Sequence, residues 1–490
     1  MSERTCSFNP RQNQQCRLGN PMSETCSFNP NTPLCPDQNI IKTRDDSHPM
    51  CFVYMQDGEY LLCERQTECT WCEAADVFSE KTLRERVEPW LTALFQSEHL
   101  SLLVGSGLTI GVCEIAGKKA TGMKRASFSK FNKEIEAEVE RTATVLNRAE
   151  GNFEDDLRVA TELYAGLKIL GKPDAELLLS EIVENLKSFT KSLLTTEFEL
   201  ITSPKRETAF NCLISFLMSF ASRTGTRDRV NIFTTNYDRL IEEAADLAGL
   251  HLLDRFVGNL SPVFRASRLN LDLHYNPPGI RGEPRYLEGV ARFTKLHGSL
   301  DWVQIGNLIR KIGLPFGAKD LAPYLDAPGL KDASEFNMMV YPNSAKDRET
   351  AAYPYVELFR DFAAAVCRPN STVVTYGYSF GDEHINRVIQ DMLTIPSTHL
   401  VIIAYNDCLG RIREFYIKTA RADQISLLLG PDVASVDILT KKFLPKSAID
   451  FTTLRMGEIL QARYASRSHP ENPKSDSNED PLPDGGKKQC

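Results

Sequence analysis

Two short motifs carry the side chains best suited to catalysis. The apolar run that starts at residue 229 ends in "TTNYD" (residues 234–238), which contains Asn236 and Asp238, and a later run ends in "KLHGS", which contains His297. An amide can hold a hydroxyl group or a water molecule by hydrogen bonds, and a histidine can act as a general base near neutral pH. Structural alternatives stay open, because Asn236 or Asp238 could cap the following helix and a lone histidine is more often a structural residue.

Three further apolar runs end in glycine-rich or polar turns: "VGSG" at residues 104–107, "TYGYSFGDEHIN" at 375–386 and "AYND" at 404–407. Glycines on both sides of a serine let backbone N–H groups approach a phosphate closely, although a tight turn without a ligand explains "VGSG" equally well. Together the five turns offer neutral hydrogen-bonding groups, one histidine and no clustered metal ligands. This set suits a nucleotide held by backbone and hydroxyl contacts, and it predicts no metal at the site.

These turns should come together, because apolar runs alternate with helix-like stretches along the second half of the chain. Strand-like runs start at residues 229, 293, 336, 371 and 399, and several lead into stretches such as "YDRLIEEAADLAGL". Such alternation predicts an α/β fold with a doubly wound, mainly parallel sheet. Ligands of such sheets bind beyond the carboxyl ends of the strands, which is where the polar turns lie.

Composition divides the chain into three segments. Residues 1–75 are rich in Cys, Pro and Asn and open with a near-repeat, "MSERTCSFNP" and "MSETCSFNP", so we expect a small Cys-rich N-terminal unit. Residues 80–465 should form the main domain, with a helical insertion at about 120–225. Residues 466–490 are rich in Pro, Ser, Asp and Lys and lack an apolar face, which predicts a disordered tail.

The cysteines cluster near the N-terminus, with eight of the 13 before residue 73. In a reduced cytosol, metal ligation or free thiols explain such cysteines better than disulfides do. The motif "CTWC" supplies Cys69 and Cys72 as a C-x2-C pair, and Cys51 and Cys63 could complete a set of four zinc ligands. Zinc binding is one interpretation, and a partly ordered arm with unligated thiols is the other.

Charge and hydropathy limit the classes of function. The net charge of −8 argues against non-specific nucleic-acid binding over the whole surface, although a local basic groove stays open. No apolar run approaches the roughly 20 residues that a membrane helix needs, and the polar N-terminus lacks the apolar core of a secretory signal. We therefore expect a cytoplasmic protein without a membrane partner.

The order of the motifs resembles that of the sirtuin family, from about residue 100 to residue 407. The turn "GSG" resembles the family's G-A-G, "TTNYD" its T-Q-N-x-D, and "KLHGS" its histidine-glycine motif. Later in the chain, "GYSF" resembles its G-T-S-L turn and "IIAYND" its late strand ending in asparagine. The resemblance implies a Rossmann-like sheet that binds NAD.

Two departures from the protein-deacylating sirtuins indicate another branch of the family. No cysteine lies between Cys212 and Cys367, where deacylating members carry a C-x2-C…C-x2-C zinc module after the histidine motif. More than a hundred residues, mostly helix-like, separate "GSG" from "TTNYD", and the "GIPxFR"-like continuation is missing after Gly107. These departures, with "NYD", "HGSLDW" and "GYSFGDEHIN", resemble the sirtuin-like branch of bacterial antiviral defence, whose members hydrolyse NAD and deplete it in infected cells.

The resemblance implies a role for each candidate residue. Asn236 would hold the ribose hydroxyls or the attacking water, His297 would act as general base, and Asp238 would orient neighbouring groups or contact the nicotinamide side. The phosphates and the adenosine would lie against a separate set of residues, namely Gly105, Ser106, Gly107, Thr235, Gly377, Ser379, Phe380 and Asn406. In this scheme NAD is the substrate and no metal takes part.

The expected activity is that of an NAD+ hydrolase, which yields nicotinamide and ADP-ribose. The alternatives are a protein deacylase or ADP-ribosyltransferase that uses the same pocket, and a non-catalytic sensor that binds NAD or another nucleotide. Because unregulated NAD hydrolysis would harm its own cell, we expect gating by assembly into a homo-oligomer or by a trigger partner. The Cys-rich unit and the helical insertion are the expected places for such contacts.

Overall fold

The computed structural model describes most of the chain between residues 36 and 446. The described residues are 28, 36–43, 46–63, 77–120, 124–145, 151–223, 227–266, 272–275, 285–330, 338–340 and 354–446. The predicted tail at residues 466–490 lies outside them, as do Cys69 and Cys72. Among the described residues, no helix has both the length and the apolar character that a membrane span requires.

The described residues contain 18 strands and 13 α-helices. The strands are β1 Gln38–Lys42, β2 Met50–Tyr54, β3 Glu59–Leu62, β4 Val77–Ser79, β5 His99–Val104, β6 Asn231–Thr234, β7 His251–Leu253, β8 Phe256–Val257, β9 Val263–Phe264, β10 His274–Tyr275, β11 Arg285–Tyr286, β12 Val290–Lys295, β13 Gly298–Ile305, β14 Leu308–Lys311, β15 Met338–Val340, β16 Ser371–Tyr376, β17 His399–Ala404 and β18 Ile425–Leu429. The helices are α1 Glu80–Phe95, α2 Ser106–Ile115, α3 Asn132–Val145, α4 Phe153–Ile169, α5 Asp174–Thr202, α6 Arg206–Ala221, α7 Leu240–Ala248, α8 Ala322–Leu325, α9 Tyr355–Val366, α10 Glu383–Leu393, α11 Arg411–Thr419, α12 Pro431–Ala434 and α13 Val436–Ile438. A 3-10 turn (Ala422–Gln424) and a π-helical turn (Leu439–Phe443) complete the helical elements.

The predicted α/β fold with a mainly parallel sheet is confirmed. Seven strands lie side by side in the order β18, β17, β16, β5, β6, β12, β7, and each neighbouring pair is parallel. The carboxyl ends of these strands therefore meet at one edge, where the turns with candidate residues lie. One predicted strand has a different place: the run at residue 336 contributes β15, which pairs antiparallel with β13 in a separate five-stranded sheet.

Side chains of the parallel strands alternate between two hydrophobic cores, one on each face of the sheet. On β5, Leu102 and Val104 belong to the core that contains residues of α1, α2, α6 and α7, whereas Leu103 belongs to the core with α9, α10 and α11. The central strands β5, β16 and β17 are buried on both faces, which explains why they are mainly apolar runs in the sequence.

The described part of the predicted Cys-rich unit continues the main sheet. Strand β1 pairs antiparallel with β18, and β2, β3 and β4 follow as an antiparallel meander. Cys51 on β2 and Cys63 after β3 are buried in the hydrophobic core of one face. A zinc ion on these two cysteines with Cys69 and Cys72 stays a prediction, as do the domain boundaries at residues 75 and 80.

The segment between α2 and β6 is helical in its described residues. Helices α3, α4 and α5 pack in a third core, which also includes β13 and the side chain of Tyr237 from the "TTNYD" turn. Helix α6 packs instead on the main sheet through residues such as Phe216 and Phe220. Through Tyr237, the helical segment reaches one of the turns with candidate catalytic residues.

Candidate active site

The turns after β5 and β16 pack so closely that only glycine fits at their contact. A Cβ atom on Gly107 would lie 2.5 Å from Cα of Gly377, and one on Gly105 would lie 2.5 Å from the Gly377 carbonyl oxygen. The N–H of Gly107 donates to that same carbonyl oxygen at 3.1 Å. The glycines of "GSG" therefore serve the contact between two turns, rather than presenting the Gly107 N–H to a phosphate.

An open cavity of about 380 Å³ lies beside this contact. The N-terminus of α2 borders it, and the positive end of a helix dipole favours an anion there. Five residues predicted to bind NAD line the cavity: Ser106, Gly107, Gly377, Ser379 and Asn406. Tyr405, Cys408 and residues 435–437 complete part of the wall.

Three other residues of the predicted NAD-binding set do not line this cavity: Gly105, Thr235 and Phe380. Phe380 is buried in the core and packs on the ring of Phe415, with a centroid separation of 4.6 Å. Its φ of 54° is in the left-handed region, which an aromatic residue seldom adopts, so the turn after β16 is held in a costly conformation.

Asn236 lies at the end of β6 with both of its amide hydrogen atoms in use. Nδ2 donates to the carbonyl oxygen of Gly105 and to Oγ1 of Thr109, each at 3.1 Å. Only 8% of the residue is exposed. The carbonyl oxygen Oδ1 is therefore the atom of this amide that is left to accept a hydrogen bond from a ligand hydroxyl or a water.

Asp238 accepts a hydrogen bond from the backbone at the start of α7 and another from Thr109. Its Oδ1 accepts the N–H of Leu240 at the start of α7, at 3.2 Å, and its Oδ2 accepts the hydroxyl of Thr109 at 2.7 Å. Thr109 thus lies between Asn236 and Asp238 and fixes both to α2. Sequence reasoning missed Thr109, because a threonine within a helix carries no recognisable signal.

Buried charges hold the backbone of this turn in place. The ammonium group of Lys295, at the end of β12, donates to the carbonyl oxygen of Asp238 and to Glu242. From α5, Glu197 accepts the N–H of Arg239 at 3.0 Å and pairs with its guanidinium group. Burial raises the pKa of Glu197, and the positive charge of Arg239 opposes this rise.

His297 follows β12, the parallel neighbour of β6, so it lies at the same edge of the sheet as Asn236. Only 5% of the residue is exposed. Its Nε2 lies 3.9 Å from Oδ2 of Asp382, and its ring centroid lies 5.9 Å from that of His384. The ring of Tyr237 is also near His297, at a centroid distance of 6.4 Å.

The turn after β16 links the cavity to His297. It contributes Ser379 to the cavity wall, and three residues later Asp382 faces His297. The expectation of one histidine among the five turns overlooked His384 of "GDEHIN", which lies near His297 together with Asp382. The expectation that the site holds no metal stays a prediction. Asp382 and His384 are both visible in the sequence, but an aspartate at the start of a helix is usually interpreted as an N-cap. In the structure, the side chain of Asp382 makes no capping hydrogen bond.

A buried tyrosine and glutamate extend this group toward the helical segment. The hydroxyl of Tyr237 donates to Oε1 of Glu154, in the first turn of α4, at 3.4 Å. Burial and the nearby negative charge of Glu154 hold the pKa of Tyr237 well above its usual range. The hydroxyl is therefore neutral, and it stays a hydrogen-bond donor at physiological pH.

Residues 230–425 match the family model described as the SIR2-like domain. The matched range begins at β6 and contains Asn236, His297, the turn after β16 and the end of β17. The "GSG" turn precedes it. No curated protein matches the chain.

Proposed function

Because the chain belongs to the sirtuin-like family, we propose that it hydrolyses NAD+ to nicotinamide and ADP-ribose. SIR2-like domains use NAD as a substrate, which indicates an NAD-utilising enzyme. The observation that carries the proposal is the placement of two groups at one edge of the sheet. One is an open cavity with a helix N-terminus, and the other is the buried pair Asn236 and His297 at the ends of neighbouring strands.

The cavity has the size and chemistry to take the ADP part of NAD. Its volume of about 380 Å³ is within the usual range of small-molecule sites. The pyrophosphate lies at the N-terminus of α2, next to Ser106, where the helix dipole offsets its charge. Ser379 and Asn406 supply hydrogen bonds to the adenosine, as the sequence resemblance implies.

The reaction needs little acid catalysis. Nicotinamide is already cationic in NAD+ and leaves as a neutral base, through a transition state that resembles an oxocarbenium ion. Oδ1 of Asn236 accepts a hydrogen bond from a ribose hydroxyl or from the attacking water. His297 accepts the proton that this hydroxyl or water loses. The carboxylate of Asp382, 3.9 Å from Nε2, favours the imidazolium that results.

Asp238 acts on the reaction through its neighbours. Both of its carboxylate oxygens are occupied, one by the Leu240 N–H and one by the Thr109 hydroxyl. It therefore orients Thr109, which in turn fixes the amide of Asn236. Of the two roles expected for Asp238, the contacts favour orientation over direct contact with nicotinamide.

Hydrolysis is favoured over protein deacylation by the segment that follows His297. The chain has no cysteine between Cys212 and Cys367, so the deacylase zinc module is missing from its sequence. The described residues of this segment form strands β13, β14 and β15 of the five-stranded sheet instead. Release of nicotinamide that depends on an acetylated peptide would indicate a deacylase.

The biological role in this proposal is antiviral defence by depletion of NAD in the infected cell. It rests on the motifs "HGSLDW" and "GYSFGDEHIN" and on the harm that constant NAD loss would cause. The activity is therefore gated, by assembly into a homo-oligomer or by a trigger partner, and it acts in the cytoplasm on free NAD. A trigger of protein or nucleic acid is compatible with this role.

The direct test is to incubate the full chain with NAD+ at several protein concentrations and to quantify nicotinamide and ADP-ribose. Asn236→Ala and His297→Ala should each lower the rate by about a hundredfold or more, as loss of a catalytic donor or base does. The exposed residues Asn307 and His251 offer matched controls, and Asn307→Ala and His251→Ala should leave the rate unchanged. An intact NAD pool under activating conditions, or undiminished turnover by the site variants, would contradict the proposal.

A further inference from the structure

His297 and two nearby side chains, Asp382 and His384, are able to ligate a metal. One ligand atom from each of His297, Asp382 and His384 lies within 4.8 Å of the other two. We propose that this triad is a site for a divalent transition-metal ion such as Zn²⁺, and that an ion bound there inhibits the enzyme. The inhibitory part rests on the proposed NAD hydrolysis, whereas binding of the ion does not.

The donor set suits zinc better than a hard cation. Two imidazoles and one carboxylate are ligands that Zn²⁺ binds in tetrahedral geometry, with the fourth position left to water. Two ligands of such an ion lie about 3.4 Å apart, given metal–ligand distances of about 2.1 Å. Nε2 of His297 and Oδ2 of Asp382 are 3.9 Å apart, so this pair needs to close by only about half an ångström.

Two parts of the chain supply the three ligands, because His297 follows β12 whereas Asp382 and His384 lie at the start of α10. His297 is held between β12 and β13, which leaves its backbone little freedom. Asp382 precedes α10 at the N-cap position, yet its side chain makes no capping hydrogen bond and faces His297 instead. His384 packs against the ring of Phe359 on α9, with a centroid separation of 4.5 Å and an edge-on geometry. Such packing restricts the rotamers of a ligand before a metal binds.

Burial and charge also favour a cation at this point. His297 is buried, and Asp382 and His384 are each partly buried. The carboxylate of Asp382 supplies negative charge, and Glu154 supplies more behind the ring of Tyr237. An ion here would therefore be attracted by charges that are only weakly screened.

A bound ion would silence the proposed chemistry directly. Ligation uses the lone pair of a ring nitrogen of His297, and the same imidazole must accept a proton during NAD cleavage. The two events exclude one another if they use the same nitrogen atom. Metal occupancy would thus keep the hydrolase inactive without any change in the cavity that holds the ADP part.

Binding can be tested with Co²⁺ alone, by titrating the full chain and recording its visible absorption. Co²⁺ bound to cysteine shows a thiolate-to-metal band in the near ultraviolet in addition to its visible bands. Co²⁺ bound to the histidine triad should show visible bands but no thiolate band. His384→Phe keeps a ring beside Phe359 and should no longer bind the Co²⁺ ion whose spectrum lacks the thiolate band. His251→Phe, at an exposed histidine, should keep it. The proposal would be overturned if the wild type and His384→Phe bound equal amounts of Co²⁺ without a thiolate band.

A second variant tests whether loss of metal binding is caused by unfolding. His384→Asn keeps a polar side chain, and circular dichroism and thermal melting establish whether each variant folds. Zn²⁺ should raise the melting temperature of the wild type and of His251→Phe, because it binds the native site, but should raise that of His384→Asn less. Equal stabilisation of all three proteins would place the ion elsewhere and overturn the proposal.

Inhibition is tested by NAD cleavage in buffered Zn²⁺. A zinc concentration that slows the wild type about tenfold should slow His384→Phe less than about twofold, because loss of a ligand weakens metal affinity by at least that ratio. The rate of each protein is expressed relative to its own rate with a chelator present, so a change in basal activity does not enter the comparison. If the wild type cleaves no NAD, the proposed function fails while the cobalt titration still decides the metal site. If NAD is cleaved and zinc slows both proteins alike, the metal proposal fails and the hydrolase stands.

Discussion

The open cavity and the buried group around His297 lie at the same sheet edge but are stabilised by different interactions. The cavity is bordered by turns that touch through glycine backbone, and its candidate ligands are hydroxyl, amide and helix N-terminal groups. The His297 group (Asn236, Asp238 and His297) includes the "TTNYD" turn, which side chains of other elements hold in place, namely Thr109, Glu197 and Lys295. The cavity is thus bordered mainly by the backbone of two turns, whereas the "TTNYD" turn depends on a network of buried side chains.

The comparison predicts that the largest loss of stability follows removal of a buried charge behind the "TTNYD" turn. Glu197→Ala leaves the guanidinium group of Arg239 buried without its partner, which should cost about 3–5 kcal/mol in the free energy of unfolding. Urea denaturation measures this cost. Glu199→Ala, two residues along the same helix, lacks such a pairing and should change stability by about 0.5 kcal/mol or less.

If Glu197→Ala and Glu199→Ala unfold at the same urea concentration, the ion pair with Arg239 does not support the turn. The contrast between the cavity and the His297 group would then lose its main physical basis. A loss of stability with full NAD turnover would separate the fold of the turn from its chemistry.

The next largest effect should come from the glycine contact beside the cavity. Gly107→Ala places a methyl group 2.5 Å from the Gly377 backbone, which cannot rotate away as a side chain would. We expect a loss of about 3 kcal/mol in unfolding free energy, as in severe overpacking, together with loss of ADP-ribose binding measured by calorimetry. Gly166→Ala, on α4 with open space around it, should instead raise stability by up to about 1 kcal/mol.

Tight ADP-ribose binding by Gly107→Ala would show that the two turns can separate without harm. The close packing would then be incidental to the cavity.

The sequence predicted the cavity better than it predicted the His297 group, for a physical reason. Glycine has few uses besides close approach and unusual φ values, so "GSG" and "GYSFG" identified two turns that do meet. Thr109 and Glu197 lie within helices, where such residues are common, and only the fold brings them to the "TTNYD" turn. His384 belongs to the motif "GYSFGDEHIN", yet its approach to His297 depends on the pairing of β12 and β16 with their neighbours.

A smaller effect should follow loss of the hydroxyl that joins Asn236 to Asp238. Thr109→Val keeps the shape of the side chain but removes both hydrogen bonds, which should cost about 1–2 kcal/mol of stability. The amide of Asn236 then loses its fixed orientation, so NAD cleavage should fall more than the affinity for ADP-ribose. Steady-state kinetics and calorimetry measure the two quantities.

Thr109→Ser keeps the hydroxyl and should restore most of the activity. If Thr109→Val lowers affinity and turnover to the same extent, the cavity and the His297 group are not separable, and the comparison fails.

The smallest expected change concerns reactivity of a cavity thiol. Burial raises the pKa of Cys408, which lines the cavity, to about 11, so its thiol is almost entirely protonated at pH 8. Since the thiolate is the nucleophile, alkylation of Cys408 by iodoacetamide should accelerate about tenfold per pH unit between pH 8 and 10. The alkylation rate of an unperturbed thiol, with a pKa of about 8.5, would level off above about pH 9.

Peptide mapping by mass spectrometry measures the alkylation of Cys408 separately from that of the other cysteines. Saturating ADP-ribose should slow this alkylation if the ADP part occupies the cavity. A plateau near pH 9 would show that the thiol is not buried. Unchanged rates with ADP-ribose would place the nucleotide elsewhere, because Cys408 and Asn406 border the same space and the Cys408 N–H donates to Oδ1 of Asn406 at 3.0 Å.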